Sequence, residues 1–177
     1  MENDSFRRAL SDFAFDVASG GAIRHLTDLG YTVKQIQETL DFPTPPARIQ
    51  EAVWKRLVDS GVILLEEPGR PEPRETVRYV REYDSYGKAS FRRVVETNPL
   101  PEAEGGFLTC EFGILRHTDP EKYRKVLAAL EERQAEYIDG LPWPKRRVWH
   151  RADERMLEIG RRLRAAGLDL GVCHILS

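Results

Sequence analysis

The 177-residue sequence has little of the features that place a chain in a class directly. Its only cysteines, Cys110 and Cys173, are too few for a secreted disulfide scaffold and suit a reducing cytoplasm. It has no apolar run of about 18 residues, so we expect no membrane span, and its acidic first residues predict no secretory signal. The formal net charge of −2 argues against a protein whose whole surface binds nucleic acid.

Sequence signatures of common catalytic sites are missing as well. The chain contains no G-x-S-x-G nucleophile elbow, no Walker phosphate-binding loop and no dinucleotide-binding fingerprint. Cys110 and His117 would approach Cys173 and His174 if their strands are neighbours, but this spacing is not that of a compact zinc motif. We therefore predict no metal, no cofactor and no catalytic residue, and an enzyme is the less favoured interpretation.

Apolar periodicity predicts an α+β protein whose helices come first in the chain. The first helix should stop at Gly20 and Gly21, and Thr32 with Gln35 three residues later has the pattern of a capping box. Thr44 is placed to cap the helix that follows the proline-rich turn. Apolar residues predict helices over 6–17, 23–29 and 33–40 and, after the Thr44 cap, a helix whose buried positions span 49–57 and which ends at Gly61. A short buried strand follows at 62–65.

A proline-rich loop at 66–74 separates these helices from a predicted β-hairpin with strands at 76–83 and 89–96. From residue 107 onward the pattern predicts strand, helix, helix and strand, and the two helices bring the last strand back antiparallel if the strands pair. We predict a helical module with its hairpin at 1–97 and a β-α-α-β unit at 98–177. The second unit either extends the hairpin sheet, forms a small domain or packs as one domain with the first. Its elements are predicted at 107–115, from Asp119 to 139, at 152–166 and at 170–176.

Residues 22–65 carry an ordered series of apolar and glycine positions. The series comprises Ile23, Leu26, Leu29-Gly30-Tyr31-Thr32, Ile36, Leu40, Phe42, Val53, Leu57 and Gly61-Val62-Ile63. It resembles a winged helix-turn-helix module, and the hairpin up to about residue 97 would then be the wing. The resemblance implies that the second helix packs across the third, which presents its outer face to the major groove of double-stranded DNA.

The resemblance also implies a DNA-binding transcriptional regulator. Residues near the start of the third helix would meet base edges, and later basic residues and those of the wing would meet phosphates or a minor groove. Residues 1–66 hold 7 basic and 10 acidic side chains, whereas 143–164 hold 8 and 3, so phosphate contact should fall on the wing and the C-terminal half. The predicted DNA-binding residues are Thr44, Arg48, Gln50, Lys55, Arg56, Lys88, Arg92 and Arg93.

Two other functions are compatible with the same residues. The winged helix could hold a protein partner or a second copy of the chain, with the C-terminal half used for sensing or dimerisation. The other alternative is a small ligand-binding protein or enzyme with a site near Trp143, Trp149 and His150, beside the basic run 145–147. These residues could hold an anionic or aromatic ligand or stack a base, or they form a packed corner between helices. For each basic residue the structural alternative is a solvated side chain whose stem covers apolar neighbours.

Overall fold

The computed structural model describes residues 2–69, 74–98, 106–168 and 173–175, and it is a mixed α+β protein, as predicted. The helices are α1 (Glu2–Phe15), α2 (Gly21–Asp28), α3 (Val33–Thr39), α4 (Pro46–Asp59), α5 (Phe112–Thr118), α6 (Pro120–Ala128), α7 (Glu132–Gly140) and α8 (Glu154–Ala165). The strands are β1 (Ile63–Leu64), β2 (Arg74–Tyr83), β3 (Ala89–Asn98), β4 (Phe107–Cys110), β5 (Val148–Arg151) and β6 (Cys173–Ile175).

Two compact units contain these elements. Residues 1–67 and 106–177 form the first unit, and residues 68–105, which include the hairpin, form the second. The N-terminal helices and the C-terminal elements thus lie in the same unit, and the hairpin lies in the other.

Local chemistry sets the ends of the N-terminal helices. Gly30 takes a φ of 85° and ends α2, a conformation that costs glycine little. Thr32 Oγ1 accepts the Gln35 N–H at 3.2 Å and Gln35 Oε1 accepts the Thr32 N–H at 3.0 Å, so the predicted capping box of α3 is present. Pro46 occupies the first turn of α4, where a missing N–H costs no intrahelical bond.

Two predictions for these helices are wrong. Gly20 and Gly21 do not stop the first helix, because both adopt right-handed helical dihedrals and the chain runs through a π-helical turn into α2. A glycine pair permits a helix to stop but does not require it. Thr44 does not cap α4, because its hydroxyl donates to the Phe42 carbonyl at 3.2 Å and the residue before the helix is Pro45.

Four short strands form an antiparallel sheet in the first unit, in the order β1-β5-β4-β6. β4 pairs with β6 in the register Leu108↔Ile175, which confirms the predicted antiparallel arrangement. β5 lies between β1 and β4, with His150 opposite Ile63 on one side and Leu108 on the other. β1, the strand that follows α4, therefore pairs with a strand from the C-terminal part of the chain.

The C-terminal elements differ from the prediction at three places. The predicted strand 107–115 ends after four residues, and Phe112–Thr118 is helix α5. A short apolar run suits a buried helix as well as a strand. The helix from Asp119 begins as predicted but divides into α6 and α7, where Glu131 starts a new capping box. Strand β5 is missed, because its sequence was interpreted as part of an aromatic bend between helices.

The hydrophobic core of the first unit draws side chains from both parts of the sequence. The N-terminal helices supply Ile23, Ile36, Ile49, Val53 and Leu57, and the C-terminal elements supply Phe112, Val126, Ile138, Met156, Ile159 and Leu163. Each of these is less than a tenth exposed, so neither part buries its apolar residues alone.

The second unit contains the hairpin, which is confirmed at the predicted place. β2 and β3 pair from Arg74↔Asn98 to Tyr83↔Ala89. In the turn, the Asp84 carboxylate accepts the N–H groups of Tyr86 at 2.9 Å and Lys88 at 2.8 Å, and Gly87 takes a φ of 77°. This is a type I turn followed by a glycine bulge, a common three-residue connection between antiparallel strands.

Candidate nucleic-acid interface

The register of the hairpin sorts its side chains onto two faces. Alternate residues of a strand point to opposite sides, and residues paired across the ladder share a side. One face carries Val77↔Val95, Tyr79↔Arg93, Arg81↔Phe91 and Tyr83↔Ala89, and the other carries Arg78↔Val94, Val80↔Arg92 and Glu82↔Ser90. The first set of four pairs is called the aromatic face.

The aromatic face is exposed to solvent along its length. Tyr79 and Phe91 are each 67% exposed, and Tyr83 is 63% exposed. The Arg81 guanidinium lies over two of these rings, 5.3 Å from the centroid of Tyr83 and 5.8 Å from that of Phe91. The charged residues in these four pairs are Arg81 and Arg93, so the four pairs combine aromatic rings with positive charge.

The opposite face of the hairpin has a different chemistry. Arg92 Nε forms an ion pair with Glu82 Oε1 at 2.9 Å. The two adjacent arginines that were predicted to contact DNA therefore lie on opposite faces, and Arg93 is the one beside the rings. Lys88 is exposed at the turn.

The outward side of α4 matches DNA poorly. Its exposed residues recur every four positions, at Ala47, Glu51, Lys55 and Asp59. Lys55, predicted to contact phosphate, therefore lies between two carboxylates, and Gln50, predicted to meet a base edge, is half-buried. Negative charge along this stripe opposes contact with phosphates.

The two arginines of α4 contact other helices of the protein. Arg48 donates to the Ser11 carbonyl at 3.3 Å and the Ser11 hydroxyl at 3.1 Å, and it lies 5.4 Å from the Phe15 ring centroid. Arg56 makes two hydrogen bonds to the Asp28 carboxylate, at 2.8 and 2.7 Å. This ion pair lowers the pKa of Asp28 and raises that of Arg56. Both side chains link helices of the N-terminal part.

The basic residues of 143–164 are in part engaged within the protein as well. Arg147 Nε donates to Glu111 at 2.7 Å. Arg162 bonds Glu131 and Glu158, so it ties α8 to the start of α7. The local excess of positive charge in this segment is thereby reduced, and the hairpin becomes the stronger candidate for phosphate contact.

The predicted aromatic ligand residues fall in a packed corner. Trp143 is 5% exposed, and its ring centroid lies 5.6 Å from that of Trp54 and 5.1 Å from that of Phe112. Its Nε1 donates to the Ile138 carbonyl at 2.7 Å. Trp149, on β5, is half-buried. Trp143 therefore serves the core, which is the structural alternative given for it above.

His150 is fully buried and holds two hydrogen bonds. Its Nδ1 lies 2.7 Å from the Arg151 carbonyl and its Nε2 lies 2.7 Å from the Tyr137 hydroxyl. A carbonyl only accepts, so Nδ1 carries the proton and Nε2 accepts from Tyr137. Burial lowers the pKa of His150, so the ring is neutral. The Arg155 guanidinium lies 4.4 Å from the Tyr137 ring centroid and donates to the Gly30 carbonyl.

Sequence reasoning found the hairpin but missed four residues of its aromatic face, Tyr79, Arg81, Tyr83 and Phe91. The signal was present, because rings and guanidinium groups alternate with a period of two along β2. This alternation identifies one aromatic face only when the pairing of the two strands is known, because the register places Phe91 beside Arg81.

The described residues show neither a metal site nor a membrane-spanning helix. Among the residues that the structure describes, no three His, Cys, Asp or Glu side chains are grouped to hold a metal ion. Every helix in the described ranges is too short or too polar to span a membrane. No family model, curated protein or solved structure matches the chain.

Proposed function

We propose that this protein is a cytoplasmic DNA-binding transcriptional regulator whose hairpin, rather than α4, contacts double-stranded DNA. The observation that supports the proposal is the aromatic face, where Arg81 and Arg93 lie among three exposed rings. The positive charge of these four pairs complements a polyanion. Phosphate contact by such side chains supplies nearly all of the non-specific affinity of proteins for DNA.

The dimensions of the hairpin suit the major groove. Each strand has 10 residues, which at about 3.3 Å per residue gives a ribbon of about 33 Å. The major groove is about 12 Å wide and admits a two-stranded ribbon. An arginine in the groove can donate to guanine O6 and N7, and an apolar ring can contact the methyl group of thymine.

The energetics of the hairpin also favour a bound state. A two-stranded hairpin on its own is marginally stable in water, and large exposed rings add no burial in the free protein. Binding would remove Tyr79, Tyr83 and Phe91 from water while Arg81 and Arg93 approach phosphate or base. The same residues would then supply affinity and order the ribbon.

The experiment is a fluorescence anisotropy titration of a labelled mixed-sequence duplex at several salt concentrations. If Arg81, Lys88 and Arg93 each neutralise one phosphate, the slope of log K against log salt is about −2.7. Affinity should then fall about 40-fold between about 50 and 200 mM salt. Arg93→Ala should reduce the slope to about −1.8, so that the fall is about 12-fold.

Arg92→Ala is the matched control, because Arg92 precedes Arg93 and lies on the opposite face. It should leave the slope unchanged, and so should Lys55→Ala on α4. Equal losses from Arg92→Ala and Arg93→Ala would refute the assignment to the aromatic face. Tighter binding of a single strand or an RNA duplex, or no binding of duplex DNA at low salt, would overturn the proposed function and favour the protein-partner alternative or another ligand.

A further inference from the structure

A cleft of about 320 Å³ opens between α2, α4, α7 and the start of α8, within the first compact unit. Its floor is apolar, formed by Val53 and Leu57 of α4 with Val62. Tyr137 forms part of one wall, and Asp153 and Glu154 are exposed at its mouth. This volume is within the range of small-molecule sites, which combine an apolar lining with a few polar groups.

We propose that this cleft binds a small organic cation, a molecule with an apolar or aromatic body and a protonated amine. The apolar body would lie against Val53, Leu57 and Val62, and the ammonium group would approach the carboxylates of Asp153 and Glu154. The hairpin contributes no residue to the cleft. The proposal therefore stands or fails independently of the DNA contact.

The charges around the cleft favour a cation over an anion. Its titratable side chains besides tyrosine are Asp153, Glu154 and Arg155, which leaves a formal charge of −1. Arg155 already donates to the Gly30 carbonyl and lies over the Tyr137 ring, so its positive charge is held in the wall. An anion that approached Arg155 would also meet the two carboxylates.

Contacts around the cleft hold two of its lining side chains, Arg155 and Tyr137, in place. A Cβ on Gly30 would come within 2.9 Å of Arg155 Nη2, so the glycine leaves room for the arginine that spans from α8 to the end of α2. Behind the wall, Tyr137 is fixed by its hydrogen bond to the buried His150. A pre-formed site reduces the ordering cost of binding.

The test uses three probes with the same ring and different charge: 2-phenylethylamine, 2-phenylethanol and phenylacetate, titrated by calorimetry at pH 7. We expect the amine to bind about fivefold more tightly than the alcohol, because an ion pair with a solvent-exposed carboxylate adds up to about this factor. Phenylacetate should bind more weakly than either. Failure of the amine to bind, or binding of phenylacetate with equal affinity, would overturn the proposal.

The double variant Asp153→Asn, Glu154→Gln removes both charges while keeping the shapes of the side chains. Asn retains the cap at the start of α8, where Asp153 Oδ1 accepts the Met156 N–H at 2.9 Å. The amine should lose about fivefold in affinity, and the alcohol should lose little. Glu121→Gln on α6 is the control, since Glu121 does not line the cleft. Unchanged amine affinity in the double variant would refute the role of the carboxylates.

Discussion

Helix α5 approaches the loop 143–144 closely at Gly113, whereas Gly160 on α8 has open space beside it. We therefore expect the substitution of alanine to have opposite effects on stability at these two glycines. A Cβ built on Gly113 would lie 2.0 Å from the Pro144 carbonyl oxygen and 2.5 Å from the Trp143 carbonyl oxygen. A Cβ on Gly160, within α8, would meet nothing within 4 Å. Both residues lie in helices, so the difference isolates packing from helix propensity.

Gly113→Ala should destabilise the first unit strongly. Helix and loop must separate by about 1 Å before the closest contact reaches 3.0 Å, the distance below which real Cβ atoms essentially never come. Overpacking of this kind costs about 1–3 kcal/mol or more. Loosening the two ring contacts of Trp143 would add about 0.5–1.5 kcal/mol for each pair. We therefore expect a loss of at least about 2 kcal/mol, or at least about 4–8 °C in Tm.

Gly160→Ala should instead raise the free energy of unfolding by about 0.5–1 kcal/mol, because alanine reduces the entropy of the unfolded chain. Urea unfolding followed by tryptophan fluorescence measures both variants. The three tryptophans, Trp54, Trp143 and Trp149, all belong to the first unit, so the signal reports that unit and not the hairpin. If Gly113→Ala is as stable as the wild type, the packing argument is refuted.

Two further predictions concern the buried pair of Tyr137 and His150. Tyr137→Phe leaves the Nε2 acceptor of His150 unsatisfied and should cost about 1–3 kcal/mol in urea unfolding, whereas Tyr79→Phe on the exposed aromatic face should cost almost nothing. Equal costs would contradict the importance of this bond. Because burial lowers the pKa of His150, the unfolded state binds the additional proton, and the free energy of unfolding should decrease as pH falls below about 6.5. In His150→Gln this decrease between pH 7 and 5 should be smaller, and an equal slope in both proteins would rule out His150 as its source.

Sequence reasoning succeeded where structure depends on near neighbours. The capping box of Thr32 and Gln35 and the helix start at Asp119 need only residues three positions apart, and the structure confirms both. It failed where distant chain segments decide the outcome. β5 becomes a strand because Ile63 and Leu108 flank His150, and nothing near residue 150 in the sequence reveals these partners.

The residues of the candidate site also divide into those that local sequence predicts and those that depend on distant parts of the chain. The two strands of the hairpin can be predicted from the alternation of residue types and from the turn at Gly87. Which of Arg92 and Arg93 lies beside the aromatic rings is decided by the register. On α4, the helical pattern predicted Arg48 and Arg56 as outward-facing. Their contacts with α1 and α2 depend on how the helices pack. The spacing of residues within α4 gives no information about that packing.

The pairing of β1 with β5 has a consequence for the time course of synthesis. Ile63 meets His150 across the ladder, 87 positions later in the chain. At about 5–20 residues per second, a ribosome needs about 4–17 s to make the intervening segment. During this interval the apolar side chains of α2 and α4 lack the C-terminal residues that cover them. These side chains are therefore exposed to aggregation for that time, and a slow stretch of translation between the two strands would prolong the exposure.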